Sequence, residues 1–352
     1  MTTELPVDIP VTPEGLTPEW LTVLLRTHGH DVEVTSVGHT PVGTGQMAGS
    51  FRLTPTYTQP NALPPTLIAK LATGPSEQRA FASGAFRNEV RFYRELAARF
   101  DVPVPACHAA TISPSGREFV LLLDDLADAR QGDQIVGCSP AQARSVALAA
   151  AGLHGPGWND DSLVAAFPLP TDDDREVMDS VLEPMAAVYT DRFGPQARAR
   201  AAVDWMVRHA ADWLVAPTEN AALIHGDLRI DNVLFGADGH VTVIDWQTIT
   251  TGNPLRDIAF LLSTSLSTAD RRTHERSIVA DYHRALLEFG VTGYTSEHCW
   301  RDYVDNLIQA PMIVVFGAAA AQPTERGNAM FTTMLDRAAI AVDDLVPGGL
   351  SG

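Results

Sequence analysis

The sequence predicts an α+β fold in two parts. A small N-terminal lobe built on an antiparallel sheet spans residues 1–125, and a larger, mainly helical C-terminal lobe spans 126–352. Three observations carry this reading. Apolar and β-branched runs separated by Gly- and Pro-rich turns crowd the first third of the chain. After residue 126 the texture changes to helical periodicity, interrupted only around 223–246. The chain has 352 residues, 45% of them hydrophobic, enough for about two lobes with a real core.

Taken in order, LTPEWLTVLLRTHG (16–29) reads as a helix: Thr17 can cap it, Pro18 suits its first turn and Gly29 its stop. DVEVTSVGHTPVGTGQMAGSFRLTPTY (31–57) reads as two strands around a Gly-rich turn. PTLIAKLA (65–72) is a short apolar strand with one Lys near its end. From 77 to 100, Phe86, Val90, Tyr93 and Leu96 recur every three or four residues and predict one long helix. VPVPACHAATISPSGREFVLLLDDL (102–126) gives Pro-bounded strands with a Ser-Gly turn at 115–116. Ser139-Pro140 starts an Ala-rich helix through Leu153. The ends of 223–235 and VTVIDW (241–246) are strand-like, with Asp238-Gly239 as a hairpin signal. APMIVVFGAAAA (310–321) contains Pro311 and Gly317 and is too short to span a bilayer, so it predicts a buried helix and no membrane span.

Composition excludes some partners. The net charge of −18 argues against nucleic acid, because neutralising phosphates needs clustered Lys and Arg. It permits a cationic substrate but does not require one; an acidic surface for solubility is the simpler account. Cys107, Cys138 and Cys299 are far apart and form no CxxC pair, which predicts free thiols in a reducing cytoplasm. The acidic start MTTELPVDIP has no basic signal-peptide region.

The stretch LIHGDLRIDNVLF (223–235) sets a His, an Arg, an Asn and two Asp between apolar ends. A solvated turn is one account of it and a catalytic loop the other. His225-x-Asp227-x-x-x-x-Asn232 has the spacing of the kinase catalytic loop, and Asp245 follows 13 residues after Asn232 at the end of the next strand. Phosphoryl transfer needs a carboxylate to orient the acceptor hydroxyl, which Asp227 supplies, and oxygen ligands for Mg2+, which Asn232 and Asp245 supply. Upstream, Gly43, Gly45 and Gly49 offer flexible backbone that can close over phosphates, or form a plain hairpin. Lys70 inside an apolar strand is costly unless paired, and Glu89 in the long helix is its natural partner.

Carried by HGDLRIDNVLF and VTVIDWQTITTGNPLRDIAFLL, the chain resembles the aminoglycoside phosphotransferase and choline kinase superfamily of protein-kinase-like small-molecule kinases. LLLDDL (121–126) and CWRDYVDNLIQAPMIVV resemble its ecdysteroid-kinase-like (CHK kinase-like) branch, and the resemblance covers roughly residues 20–340. It implies a protein-kinase-like bilobal fold and an ATP-dependent kinase for a small hydroxylated acceptor. It assigns Asp227 as catalytic base or orienting carboxylate, Asn232 and Asp245 to Mg2+, and Lys70 to phosphate with Glu89 as its partner. Gly43, Gly45 and Gly49 line the nucleotide loop, and backbone near Asp124 and Leu126 meets the adenine. His225 braces the loop. Asp257 accepts backbone N–H bonds from it, or serves simply as a carboxylate at a helix start.

Departures from the protein-kinase pattern narrow the substrate. Gly226 replaces the Arg of H-R-D, Trp246-Gln247 stands where protein kinases have Phe-Gly, and only 247–253 separate this motif from Pro254. That leaves no room for a peptide-binding activation segment. His154 reads as a helix C-terminal cap. Asp160-Asp161 and the run 172–174 read as helix starts or as acids that recruit an amine. Trp158, Trp300, Tyr303 and Phe316 read as core or as an apolar acceptor pocket. The competing function is a nucleotide-binding pseudokinase acting as scaffold or sensor, yet Lys70, Asp227, Asn232 and Asp245 are all present. A metal-dependent hydrolase would want more His ligands, and no P-loop motif occurs.

Overall fold

The structure, a computed structural model, describes residues 8–43 and 48–351. The chain forms two compact units. The first takes the described residues up to Ala98, Val104–Asp128 and Ile244–Thr248. The second takes Arg99–Pro103, Ala129–Val243 and the described residues from Ile249 onward.

The first unit contains α1 (Pro18–Thr27), β1 (Val34–Val42), β2 (Gly49–Tyr57), β3 (Leu67–Leu71), α2 (Ser76–Phe81), α3 (Ser83–Arg91), β4 (Cys107–Ile112) and β5 (Phe119–Asp124). The strands form one antiparallel sheet in the order β1-β2-β3-β5-β4. Helix α1 is capped by Thr17, whose hydroxyl accepts the Trp20 N–H. It buries Trp20, Leu21, Leu24 and Leu25 against Leu53, Leu67, Ala69, Leu71, Val120 and Leu122. Each such Leu contributes about 1.5–3 kcal/mol relative to exposure. Side chains alternate along a strand, so Leu67, Ala69 and Leu71 face α1 while Lys70 faces the other side, in register with Leu121. There Phe86 of α3 packs on Phe119, with ring centroids 4.7 Å apart.

The expected single helix over 77–100 is broken. Helices α2 and α3 meet at Ala82, where the Ser83 hydroxyl donates to the Ala80 carbonyl and competes with the helical ladder. A π-helical turn, Phe92–Leu96, follows, then a 3-10 turn at Ala97–Arg99. The π turn lets the neighbours Phe92 and Tyr93 both point inward.

The second unit contains β6 (Arg130–Gln131), α4 (Pro140–His154), α5 (Asp161–Ala166), α6 (Asp172–Phe193), α7 (Ala197–Leu214), β7 (Ala222–Ile224), β8 (Val233–Phe235), β9 (Val241–Val243), β10 (Thr250–Gly252), α8 (Leu255–Ser265), α9 (Thr268–Glu288), α10 (Ser296–Asp305), α11 (Gln309–Ala320) and α12 (Glu325–Leu345). Two small antiparallel sheets, β6-β8-β9 and β10-β7, hold the 222–243 region. Strands β6 and β10 are too short to leave a pattern in the sequence. Ser139 and Gln142 form a capping box on α4. The apolar run at 310–321 is α11, buried among its neighbours. By length and composition Ser296–Ala320 could cross a membrane, yet it is divided into α10 and α11, and 61% of its apolar window is buried inside the fold.

Candidate active site

In the first unit, strand alternation delivers Lys70 to α3. Its Nζ donates to Glu89 Oε1 at 2.7 Å and to Asp245 Oδ1 at 2.9 Å. Glu89 is 1% exposed and Lys70 11%, so this pair is desolvated, while the Asp245 carboxylate is 38% exposed. Burial works against the Lys70 charge, but Asp245 and Glu89 outweigh it and raise its pKa. Desolvation drives the Glu89 carboxyl above its ordinary range; Lys70 opposes this and Asp245 adds to it. Asp245 stands in left-handed backbone, φ 69°, a conformation that Asp tolerates better than most residues and that concentrates at functional sites. Trp246 fixes this turn by stacking on Phe92, centroids 3.7 Å apart and planes 6° from parallel. Gln247 Nε2 donates to Glu89 Oε2 at 3.2 Å, and the Gln247 carbonyl accepts Asn88 Nδ2 at 3.4 Å.

In the second unit the loop leaves β7 at His225, makes a 3-10 turn at Ile230–Asn232 and enters β8. Gly226 has φ 80°, which explains a Gly between His225 and Asp227. Asp257 anchors the turn, accepting the His225 N–H on Oδ2 (2.7 Å) and the Gly226 N–H on Oδ1 (2.9 Å). Burial opposes the Asp257 charge, but hydrogen bonds from His154 and the loop N–H groups hold its carboxyl below the usual range. Gln309 Nε2 donates to the Gly226 carbonyl at 3.0 Å. His225 Nδ1 accepts the Asp227 N–H at 3.2 Å, as a brace would. Asn232 Nδ2 donates to the Asp227 carbonyl (2.9 Å) and to Oδ2 (3.0 Å), and Arg229 Nε donates to that carboxylate at 3.1 Å.

Among the residues singled out in the sequence, Lys70, Glu89 and Asp245 come together in the first unit, and Asp227 and Asn232 in the second. Gly43 follows β1 in left-handed backbone, φ 71°. Gly49 opens β2, where an added Cβ would meet Phe51 and Thr73 at 2.8 Å. Gly45 lies outside the described residues. Asp124 ends β5; its N–H donates to the Ala106 carbonyl (2.9 Å) and its carboxylate accepts His108 Nε2 (2.7 Å). Leu126 is half-buried in the following loop. His154 corrects the expectation of a helix cap. It is fully buried, with Nε2 donating to Asp257 at 3.1 Å and Nδ1 2.8 Å from the Tyr282 hydroxyl. Tyr303 is core, its hydroxyl donating to Glu275 at 3.0 Å. Asp160 caps α5 and Asp174 completes a capping box on α6.

Sequence reasoning missed Arg229, Asp231, Arg326 and Gln309. Asp231 Oδ1 accepts the Gln134 N–H (2.9 Å) and Arg326 Nη2 (2.8 Å), and Oδ2 accepts Arg326 Nη1 (3.1 Å), so α12 grips the loop. The one available signal was the Arg-x-Asp alternation at 229 and 231. Arg326 lies 95 residues away and left none. Among the described residues no cluster of three or more His, Cys, Asp or Glu could hold a metal.

The fold has relatives of known structure. The aminoglycoside 2'-phosphotransferase-IIIa GDP complex aligns with a TM-score of 0.53 at 13% identity, over 92% of this chain and 99% of that one. Choline kinase LicA from Streptococcus pneumoniae aligns at 0.52 and 14%, over 93% and 99%, and a macrolide 2'-phosphotransferase type I at 0.51 and 16%, over 93% and 99%. These likenesses show the protein-kinase-like fold. A curated relative, acyl-CoA dehydrogenase family member 11 from Gallus gallus, is 29% identical over 170 residues, 47% of this chain, and the match spans only 21% of that protein's length. Residues 66–296, well over half of the chain, match the profile of the phosphotransferase enzyme family (APH). The chain therefore belongs to that family of phosphotransferase enzymes.

Proposed function

We propose that the chain transfers the γ-phosphate of ATP to the hydroxyl of a small-molecule acceptor. The observation that carries this reading is the buried cluster in which Lys70 is shared by Glu89 and Asp245. Lys70, held charged by two acids, supplies a cation for phosphate, and the 38% exposed Asp245 carboxylate supplies a hard oxygen ligand for Mg2+. An all-oxygen donor set suits a hard cation such as Mg2+. Asn232 commits its Nδ2 to Asp227, so its amide oxygen and the Asp245 carboxylate would be the protein's ligands, with phosphates and water completing the shell. Mg2+, when bound, neutralises charge on the β- and γ-phosphates.

In this reading Lys70 contacts phosphate, Gly43, Gly45 and Gly49 cover it, and backbone near Asp124 and Leu126 meets the base. Asp227, held by Asn232 and Arg229, orients the acceptor hydroxyl. The acceptor oxygen–phosphorus bond forms as the β–γ bridge breaks, ADP leaves, and Asp227 takes the hydroxyl proton. Positioning and charge neutralisation supply most of the rate. Aminoglycoside-like, sterol-like, hydroxyacyl and amino-alcohol acceptors are the classes to test; the acyl-CoA relative supports including the third. Three free thiols, each pushed up to about 12 by burial, support a cytoplasmic address.

The test is coupled ADP release with Mg·ATP across a panel of aminoglycosides, macrolides, choline-like amines, sugars, sterols and hydroxyacyl thioesters. Asp227→Asn serves as the control. A signal that vanishes in Asp227→Asn at unchanged nucleotide affinity is expected. Turnover retained by that variant would overturn the role of Asp227, and absence of nucleotide binding in the wild type would overturn the whole reading.

A further inference from the structure

Gln247 lies outside the roles assigned above. It stands two residues after Asp245, is 7% exposed, and directs its side-chain amide at the one Glu89 oxygen that Lys70 does not take. Its carbonyl is held in turn by Asn88, the residue before Glu89 on α3. The residue between Asp245 and Gln247, Trp246, is stacked on Phe92 one turn further along. Three consecutive residues are thus stitched to one stretch of helix: Asp245 through Lys70, Trp246 through a ring stack, and Gln247 through two hydrogen bonds.

We infer that Gln247 is a positioning residue that holds the Glu89 carboxylate against Lys70 and so aims Lys70 at the nucleotide phosphates. The inference rests on the proposed nucleotide role of the Lys70 cluster. The chemistry selects a neutral donor at this position. Glu89 needs a partner for Oε2 to remain ionised in a dry site, since an unpaired buried carboxylate oxygen is strongly disfavoured. A Lys or Arg at 247 would supply that bond but also compete with Lys70 for Asp245. A Glu at 247 would face Glu89 with like charge and no proton to give. An amide donates without changing the charge of the cluster, so Lys70 stays divided between Glu89 and Asp245. Gln247 touches neither nucleotide nor acceptor in this account; it acts through Glu89.

The experiment is a double-mutant cycle read by calorimetric Mg·ATP binding, with the melting temperature of each protein as a folding check. The variants are Gln247→Met, which keeps the length of the side chain and removes the donor, Glu89→Ala, and the pair. Gln247→Met is expected to weaken Mg·ATP binding about tenfold, the typical worth of a hydrogen bond to a charged group. In the Glu89→Ala background the same substitution should change affinity less than twofold. Wild-type affinity in Gln247→Met would overturn the inference. So would a tenfold loss that persists when Glu89 is absent, because Gln247 would then act independently of it. A wild-type protein that does not bind Mg·ATP at all would remove the nucleotide reading itself, and the inference with it.

Discussion

Asp257 accepts the backbone N–H of His225 and the ring N–H of His154 on the same carboxylate oxygen, at 2.7 and 3.1 Å, while its other oxygen takes the N–H of Gly226. One buried acid therefore satisfies two backbone donors of the candidate catalytic loop and orients a helix-borne His. Asp257→Asn offers one acceptor oxygen where two are used and turns an NH2 toward an N–H. The expected loss is about 2–4 kcal/mol of stability, from one or two buried donors left unpaired, with activity abolished. Urea unfolding of the two proteins measures it.

The same carboxyl makes a pH prediction. Its pKa is lowered from the ordinary 3.8, so the unfolded state binds the proton more readily than the folded one. The stability it contributes is present above pH about 4 and lost as pH falls through the still lower folded value. Acid unfolding of Asp257→Asn should thus show a smaller drop below pH about 4 than the wild type, starting from a lower plateau. Equal drops in both proteins would rule out this assignment.

Lys70→Met leaves Glu89 buried without its cation. Breaking a buried pair from one side costs about 3–5 kcal/mol, part of which the protein recovers by protonating Glu89. The Glu89 carboxyl is already raised above its ordinary range, and removal of Lys70 raises it further. The folded variant then holds a proton that the unfolded chain releases, so stability falls as pH rises. Melting temperatures at pH 5, just above the ordinary Glu value of 4.5, and at pH 8 should differ more for Lys70→Met than for the wild type, with the lower value at pH 8.

Asp245→Asn is expected to separate stability from function. Asn keeps tolerance for the left-handed backbone at φ 69° and removes the second acid that competes for Lys70. Because Asp245 is 38% exposed, losing its ion pair costs little once solvent screening is counted. Stability should stay within about 1 kcal/mol of wild type, while Mg2+-dependent nucleotide binding is lost. Differential scanning fluorimetry with and without Mg·ATP reads both arms.

Arg326 carries the grip of α12 on the loop, and it lies beyond the stretch that matches the family profile. Its side chain is 43% exposed, so Arg326→Ala should cost less than about 1 kcal/mol. The effect is expected in turnover: Asp231 loses two of its bonds, the adjacent Asn232 loosens, and kcat falls several-fold. A steady-state assay in which kcat is unchanged would show that Gln134 and Arg229 hold Asp231 unaided.

The sequence by itself determined the α+β organisation, the loop with Asp227 and Asn232, the short Asp245 segment and the partnership of Lys70 with an acid on the next helix. These were legible because each rests on local spacing: strand alternation, a fixed interval from His225 to Asn232, and a lone charge in an apolar run. Tertiary structure alone decided the rest. The helix over 77–100 breaks because Ser83 bonds back to Ala80, a competition that periodicity does not register. His154 sits in the core on Asp257, 103 residues away, and Gln247 reaches Glu89 across 158. Each of those bonds depends on which polar groups folding buries together, and a buried donor must find an acceptor wherever in the chain it lies.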